Sequence, residues 1–220
     1  MQSAFYMTEH EHLQAITDIR RIMERSSRFI SLSGLSSISA GIVALIGAGV
    51  AQQMFDGYYA RWTARGRYDV ADYIYLRNGL VLLGLAVMAG AFLFGILFTY
   101  RKARKNGLPV WDMTARKVFF SGALPMAIGG VFILGLLYNG AEWLVGTCTL
   151  IFYGLALINA SKYTVPEIRY LGITETVLGL LNLFFLGKGL YFWAIGFGCC
   201  HIIYGILMWW KYDRKENHQS

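Results

Sequence analysis

The sequence predicts an all-α membrane protein: six transmembrane helices in three tandem hairpins, with both termini cytoplasmic. Three observations carry that reading. Apolar side chains make up 56% of the 220 residues and charged ones 15%, with 25 glycines and a mean hydropathy of +0.45. Soluble proteins carry about 25% charged residues. The charges also cluster, leaving long stretches almost free of them, and glycines recur at fixed spacing within those stretches. This composition excludes a soluble enzyme, a secreted disulfide scaffold and a nucleic-acid-binding domain. It fits a chain that crosses a bilayer several times.

A hydrocarbon core of about 30 Å needs roughly 20 apolar residues in a helix. Six segments qualify: Phe29–Ala51, Gly79–Tyr100, Val118–Leu137, Ala141–Ala160, Tyr170–Leu186 and Leu190–Trp210. The fifth is short and is expected to start earlier, because Thr164-Val165-Pro166-Glu167 reads as a capping box with proline in the first turn. Asn139-Gly140 and Gly187-Lys188-Gly189 are tight turns that force antiparallel hairpins.

Before the first span, residues 1–28 hold Glu9, Glu11, Asp18 and Glu24 and no apolar core of a signal peptide. Leu13, Ile16, Ile19 and Met23 instead recur at helical spacing, which predicts a cytoplasmic amphipathic helix on the membrane or against the bundle. A partly disordered tail is the alternative. Residues 52–78, rich in tyrosine and mixed in charge, are expected to form an outer loop, and residues 211–220 a cytoplasmic tail.

Orientation follows from the basic residues. Fifteen of the 20 Lys and Arg fall on one side: Arg20, Arg21, Arg25, Arg28, Arg101, Lys102, Arg104, Lys105, Arg116, Lys117, Lys162, Arg169, Lys211, Arg214 and Lys215. Only Arg61, Arg65, Arg67, Arg77 and Lys188 fall on the other. The positive-inside rule then puts both termini in the cytoplasm and predicts a bacterial inner-membrane protein. Trp111, Trp209 and Trp210 would mark the inner interface, with Trp143 and Trp193 at the outer one. The net charge of +7 is mostly this asymmetry, with some attraction to anionic lipid. The expected partner is the lipid bilayer, with a homo-oligomer or a cytoplasmic partner engaged through residues 1–28 and no nucleic acid.

Each odd span carries two glycines seven residues apart: Gly34 and Gly41, Gly122 and Gly129, Gly172 and Gly179. Seven residues are nearly two helical turns, so each pair forms a helix-packing face. Each even span carries an aromatic-glycine signature: Phe94-Gly95, Tyr153-Gly154 and Tyr204-Gly205. Chance recurrence of a residue common in membrane helices is the alternative, but two signatures in three copies favour duplication of a hairpin about an axis normal to the membrane. Glycine pairs such as Gly172 and Gly179 resemble those of the HdeD-type family of small bacterial membrane proteins, built from repeated helix pairs. The resemblance implies the six-helix architecture and a link to acid-stress tolerance. It implies no biochemical activity and no functional residue, and the long 52–78 segment departs from it.

An ionisable residue inside a span is costly and marks a candidate site. Glu175, flanked by Thr174 and Thr176, shares a helical face with Gly172, Gly179 and Asn182. His201 shares one with Gly198 and Gly205. Glu175 and His201 each lie 13 residues from Lys188, which places them level across the hairpin. Two readings compete: a proton-responsive or ion-binding pair with Asn182 and the threonines as further ligands, or two satisfied packing residues. In the first, the pair exchanges protons as a unit. Aligned on the first glycine of each pair, Glu175 matches Ser37 and Pro125. A hydroxyl and a proline-freed carbonyl would then join the carboxyl in a ring of unlike polar groups.

The remaining polar residues read as structural. Glu142 opens a helix, where its charge favours the dipole. Lys188 is a solvated turn residue, and Ser33 and Ser37 make a close-packing face with Gly41. Cys148, Cys199 and Cys200 lie in spans with no Cys-x-x-Cys, and a bis-histidine haem would need a second deep histidine beside His201. No catalytic motif is present, so no catalytic residue, metal or cofactor is assigned. Three functions stay open: a transport-like or proton-responsive protein, a structural or regulatory membrane protein without transport, and an intramembrane enzyme.

Overall fold

A computed structural model describes residues 33–107 and 109–213. The amphipathic helix expected over 1–28 and most of the 211–220 tail lie outside the described residues. Within them the chain is all helix and turn: α1 (Gly34–Arg65), α2 (Val70–Lys105), α3 (Met113–Tyr138), α4 (Glu142–Tyr163), α5 (Pro166–Asn182) and α6 (Leu186–Tyr212). All but α5 are long and apolar enough to cross a membrane. At 17 residues α5 spans about 26 Å. The protein is membrane-embedded.

Helix starts follow local chemistry. Ser33, Asp69 and Asp112 are N-caps whose side chains accept from the backbone N–H of Leu35, Ala71 and Ala115. Pro166 occupies the first turn of α5, as its fixed φ favours. The expected capping box is off by one residue: the N-cap is Val165, which has no acceptor side chain. Glu167 turns instead to α6, accepting from Lys211 Nζ and Tyr212 Oη.

Residues 52–78 are not a loop. They are helical except at the turn 66–69, where Gly66 caps α1 at φ 64°. Arg61 and Arg65 of α1 pair with Asp72 across that turn, and Arg65 also with Asp69. The polar, tyrosine-rich composition that suggested a loop belongs to two helices running past the apolar zone. Their 32 and 36 residues, about 48 and 54 Å long, exceed the hydrocarbon thickness of about 30 Å.

Neighbouring helices are antiparallel and pack in the spatial order α2, α1, α6, α5, α4, α3. Helix α2 rests chiefly on α1 and buries only Leu76 and Ala103; α3 rests chiefly on α4 and buries only Ala115 and Gly129. Their outer faces (Leu82, Phe92, Val131, Leu134) are exposed and apolar, as a lipid-facing surface requires. The interior lies among α1, α4, α5 and α6.

The spaced glycines build that interior. A Cβ on Gly34 would stand 2.5 Å from the Gly205 carbonyl, and one on Gly172 2.7 Å from the Gly154 carbonyl. Both helix pairs therefore touch backbone to backbone, which no larger residue permits. Each crossing joins the first glycine of an odd helix to the signature glycine of an even one. The third pair is not joined: the atoms nearest Gly122 belong to Ala156 and Ala160 at 3.8 Å, and Gly95 has nothing within 4 Å. Gly41 and Gly179 meet α6 and α4 as closely, and Gly129 faces the Phe152 ring.

Candidate functional site in the helix interior

Glycine-mediated approach brings α4, α5 and α6 close enough that polar groups between them lose water entirely. Glu175 and Asn182 on α5 and Thr147 on α4 are fully buried, and His201 on α6 is 4% exposed. The level placement of Glu175 and His201 holds: His201 Nδ1 lies 3.2 Å from Glu175 Oε1. This is the one ion-pair geometry among the described residues that is buried on both sides.

Hydrogen-bond partners assign the ring's proton. Nδ1 also lies 3.1 Å from the Gly196 carbonyl, which can only accept, so Nδ1 carries hydrogen. That N–H is aligned with Gly196 O. Glu175 Oε1 is close but off its axis, and neither Glu175 oxygen receives a hydrogen bond. Across the ring, Nε2 lies 2.8 Å from the Tyr153 hydroxyl. With a neutral ring Tyr153 donates to Nε2; with an imidazolium Nε2–H donates to Tyr153. Both charge states are satisfied at that nitrogen, so the ring can gain a proton without breaking the contact.

The backbone of α6 is shaped around this cluster. Ala194–Cys200 is π-helical, a widened turn common at functional positions. Its Gly196 presents the carbonyl to His201 and makes room for the carboxyl: a Cβ there would run into Glu175 Oε2 and stand 2.6 Å from Leu150. Phe197, on the same segment, stacks against His201 and packs on Tyr153 at centroid distances of 5.9 and 5.0 Å. Ser37 of α1 donates to the His201 carbonyl at 2.8 Å.

The other expected ligands do not join the pair. Asn182 shares the buried face two turns along α5, but its amide donates to Thr147 Oγ1 at 2.8 Å, leaving Oδ1 without a partner. Thr174 and Thr176 bond back to their own helix, at the carbonyls of Tyr170 and Gly172. Nor do Ser37, Pro125 and Glu175 converge. Pro125 leaves the Ser121 carbonyl without its usual intrahelical donor, and Asn159 of α4 supplies one at 2.6 Å, away from the Glu175 cluster.

Sequence reasoning missed Tyr153 and Thr147. Tyr153 was visible only as the aromatic member of the Tyr-Gly signature. The available signal was its hydroxyl, which needs a partner when carried deep in an apolar helix.

Both fold and site define one class, a membrane-embedded helical protein with a buried Glu–His–Tyr cluster. Comparison with known proteins finds no family model, curated protein or solved structure that matches the chain.

Proposed function

We propose that the protein is a six-span, proton-responsive membrane protein of the bacterial inner membrane, with both termini cytoplasmic. Its responsive element is the Glu175–His201–Tyr153 cluster. The observation that carries this is Glu175: a fully buried carboxyl with no hydrogen bond to either oxygen, 3.2 Å from an imidazole nitrogen. An isolated buried carboxylate is costly, and an added or shared proton relieves that cost. The proton state of the pair then sets how tightly α5 and α6 hold at the π-helical segment.

The basic-residue asymmetry supports the orientation. Six spans require α5 to cross together with the apolar Leu183, Phe184 and Phe185 that follow it. The resemblance to HdeD-type proteins supports the six-helix architecture alone.

The test is the titration of the His201 ring by 15N NMR, in a chain whose other histidines (His10, His12 and His218) are replaced by Gln. The ring spectrum is expected to change with pH, and to change differently in Glu175→Gln. A spectrum that does not vary with pH, or that varies identically in Glu175→Gln, overturns the proposal.

The enclosure of the site favours a second reading, a regulatory or structural membrane protein without transport. The two clefts described, between α2 and α3 and between α3 and α4, reach neither Glu175 nor His201. Proteoliposome flux separates the two: proton flux abolished by Glu175→Gln makes the cluster a transport site, whereas ring titration without flux makes it a sensor.

A further inference from the structure

The second of these clefts has its own chemistry. It measures about 640 Å³ and opens between α3 and α4 at the end of the bundle where α3 begins. At its mouth stand Arg116 and Lys117, adjacent in the first turns of α3. Neither is in an ion pair among the described residues; the Lys117 ammonium lies 5.9 Å over the Tyr163 ring. A third cation, Lys162, donates to Oδ1 of the lining residue Asn159 at 3.0 Å.

Among the described residues, opposing negative charge near the cleft is scarce. Asp112 is one residue before α3, and its carboxylate is engaged as the N-cap acceptor of Ala115 N–H. Glu167, at the start of α5, is bound to Lys211 and Tyr212.

Deeper in, the walls change character. Phe120 and Leu124 line the cleft and are 62% and 63% exposed, on a face turned to the hydrocarbon zone. The polar groups between mouth and walls satisfy each other, Asn159 donating to the Ser121 carbonyl.

A cationic mouth directly over apolar walls is complementary to a molecule with an anionic head and hydrocarbon tails. An unpaired guanidinium is suited to two-point binding of a phosphate, and a neighbouring ammonium adds charge. Basic pockets between membrane helices hold anionic headgroups by this means. From this we infer that the α3/α4 cleft binds an anionic phospholipid, its phosphate against Arg116 and Lys117 and an acyl chain along Phe120 and Leu124. A free phosphate would use the mouth alone and gain nothing from the walls.

The test is native mass spectrometry of the full chain in a non-ionic detergent, titrated with dioleoyl phosphatidylglycerol or dioleoyl phosphatidylcholine. Phosphatidylglycerol is expected to bind preferentially. The Arg116→Gln/Lys117→Gln variant should weaken its binding by about tenfold, while Arg101→Gln/Arg104→Gln, with the same loss of charge, leaves it within about twofold. Both cleft cations are exposed, so the fold should tolerate their loss. Arg116→Gln alone gives a second reading, an expected loss of about threefold or more. Equal binding of the two lipids, or an equal loss in the control variant, overturns the site. So does thermal protection by inorganic phosphate equal to that by phosphatidylglycerol, which would leave only an anion site.

Discussion

Tyr153 and Glu175 share no hydrogen bond, yet they lie beside opposite nitrogens of one imidazole. If the three form one proton-sharing unit, removing either end must change what the other is worth. Tyr153→Phe deletes only a hydroxyl; the ring retains its packing on Phe197 at 5.0 Å and its stacking on His201 at 5.4 Å. What is lost is the contact to Nε2, leaving a buried ring nitrogen unpaired at a cost of about 1–3 kcal/mol. Glu175→Gln preserves shape while removing the carboxyl beside Nδ1, which changes the ring's electrostatic surroundings and so alters the strength of the Tyr153 contact. A coupling of about 1 kcal/mol between the two substitutions is expected, within the usual range for one hydrogen-bonded network. It should disappear in a His201→Phe background, because the coupling passes through the imidazole. The assay is a double-mutant cycle on unfolding in mixed SDS and dodecylmaltoside micelles, followed by tryptophan fluorescence. Additivity within about 0.5 kcal/mol, or coupling that survives without His201, would refute the reasoning.

Two further expectations concern packing. Gly172→Leu puts a side chain where a Cβ already stands 2.7 Å from the Gly154 carbonyl, and should destabilise the fold by about 2–3 kcal/mol in the same unfolding assay. Gly95→Ala, with nothing within 4 Å, should be neutral or stabilising by up to about 1 kcal/mol, and a loss comparable to that of Gly172→Leu would mean that this face is covered. Asn159→Leu should cost about 1–2 kcal/mol by leaving the Ser121 carbonyl without a donor. Pro125→Ala, which restores the intrahelical N–H, should recover part of that loss; no recovery would show that Asn159 acts by another contact.

The resemblance between repeats was informative but incomplete. The glycine pairs foretold backbone contact, and at Gly34 with Gly205 and Gly172 with Gly154 the helices do touch. Spacing could not say which helix each face would meet. Gly34 packs on α6, the last helix, and Gly172 on α4, so both crossings join different predicted hairpins. The alignment of Ser37, Pro125 and Glu175 was likewise legible, but a shared register does not bring positions to one point. Ser37 reaches the His201 backbone, while the carbonyl freed by Pro125 is satisfied locally by Asn159.

The sequence by itself determined that helices dominate, that most are long and apolar enough for a membrane, and that Glu175 and His201 are level. Each follows from short-range periodicity: 1.5 Å of rise per residue, 3.6 residues per turn, and equal distances from a tight turn. Local composition misread residues 52–78, because tyrosine and mixed charge suit a polar helix end as well as a loop. Only the tertiary structure decided which groups surround the pair. Tyr153 lies 48 residues from His201 in the chain, and Gly196 is visible only as the absence of a side chain. Their roles come from α6 packing on the α4–α5 pair, itself in backbone contact at Gly154 and Gly172, a three-body arrangement that no single helical face encodes.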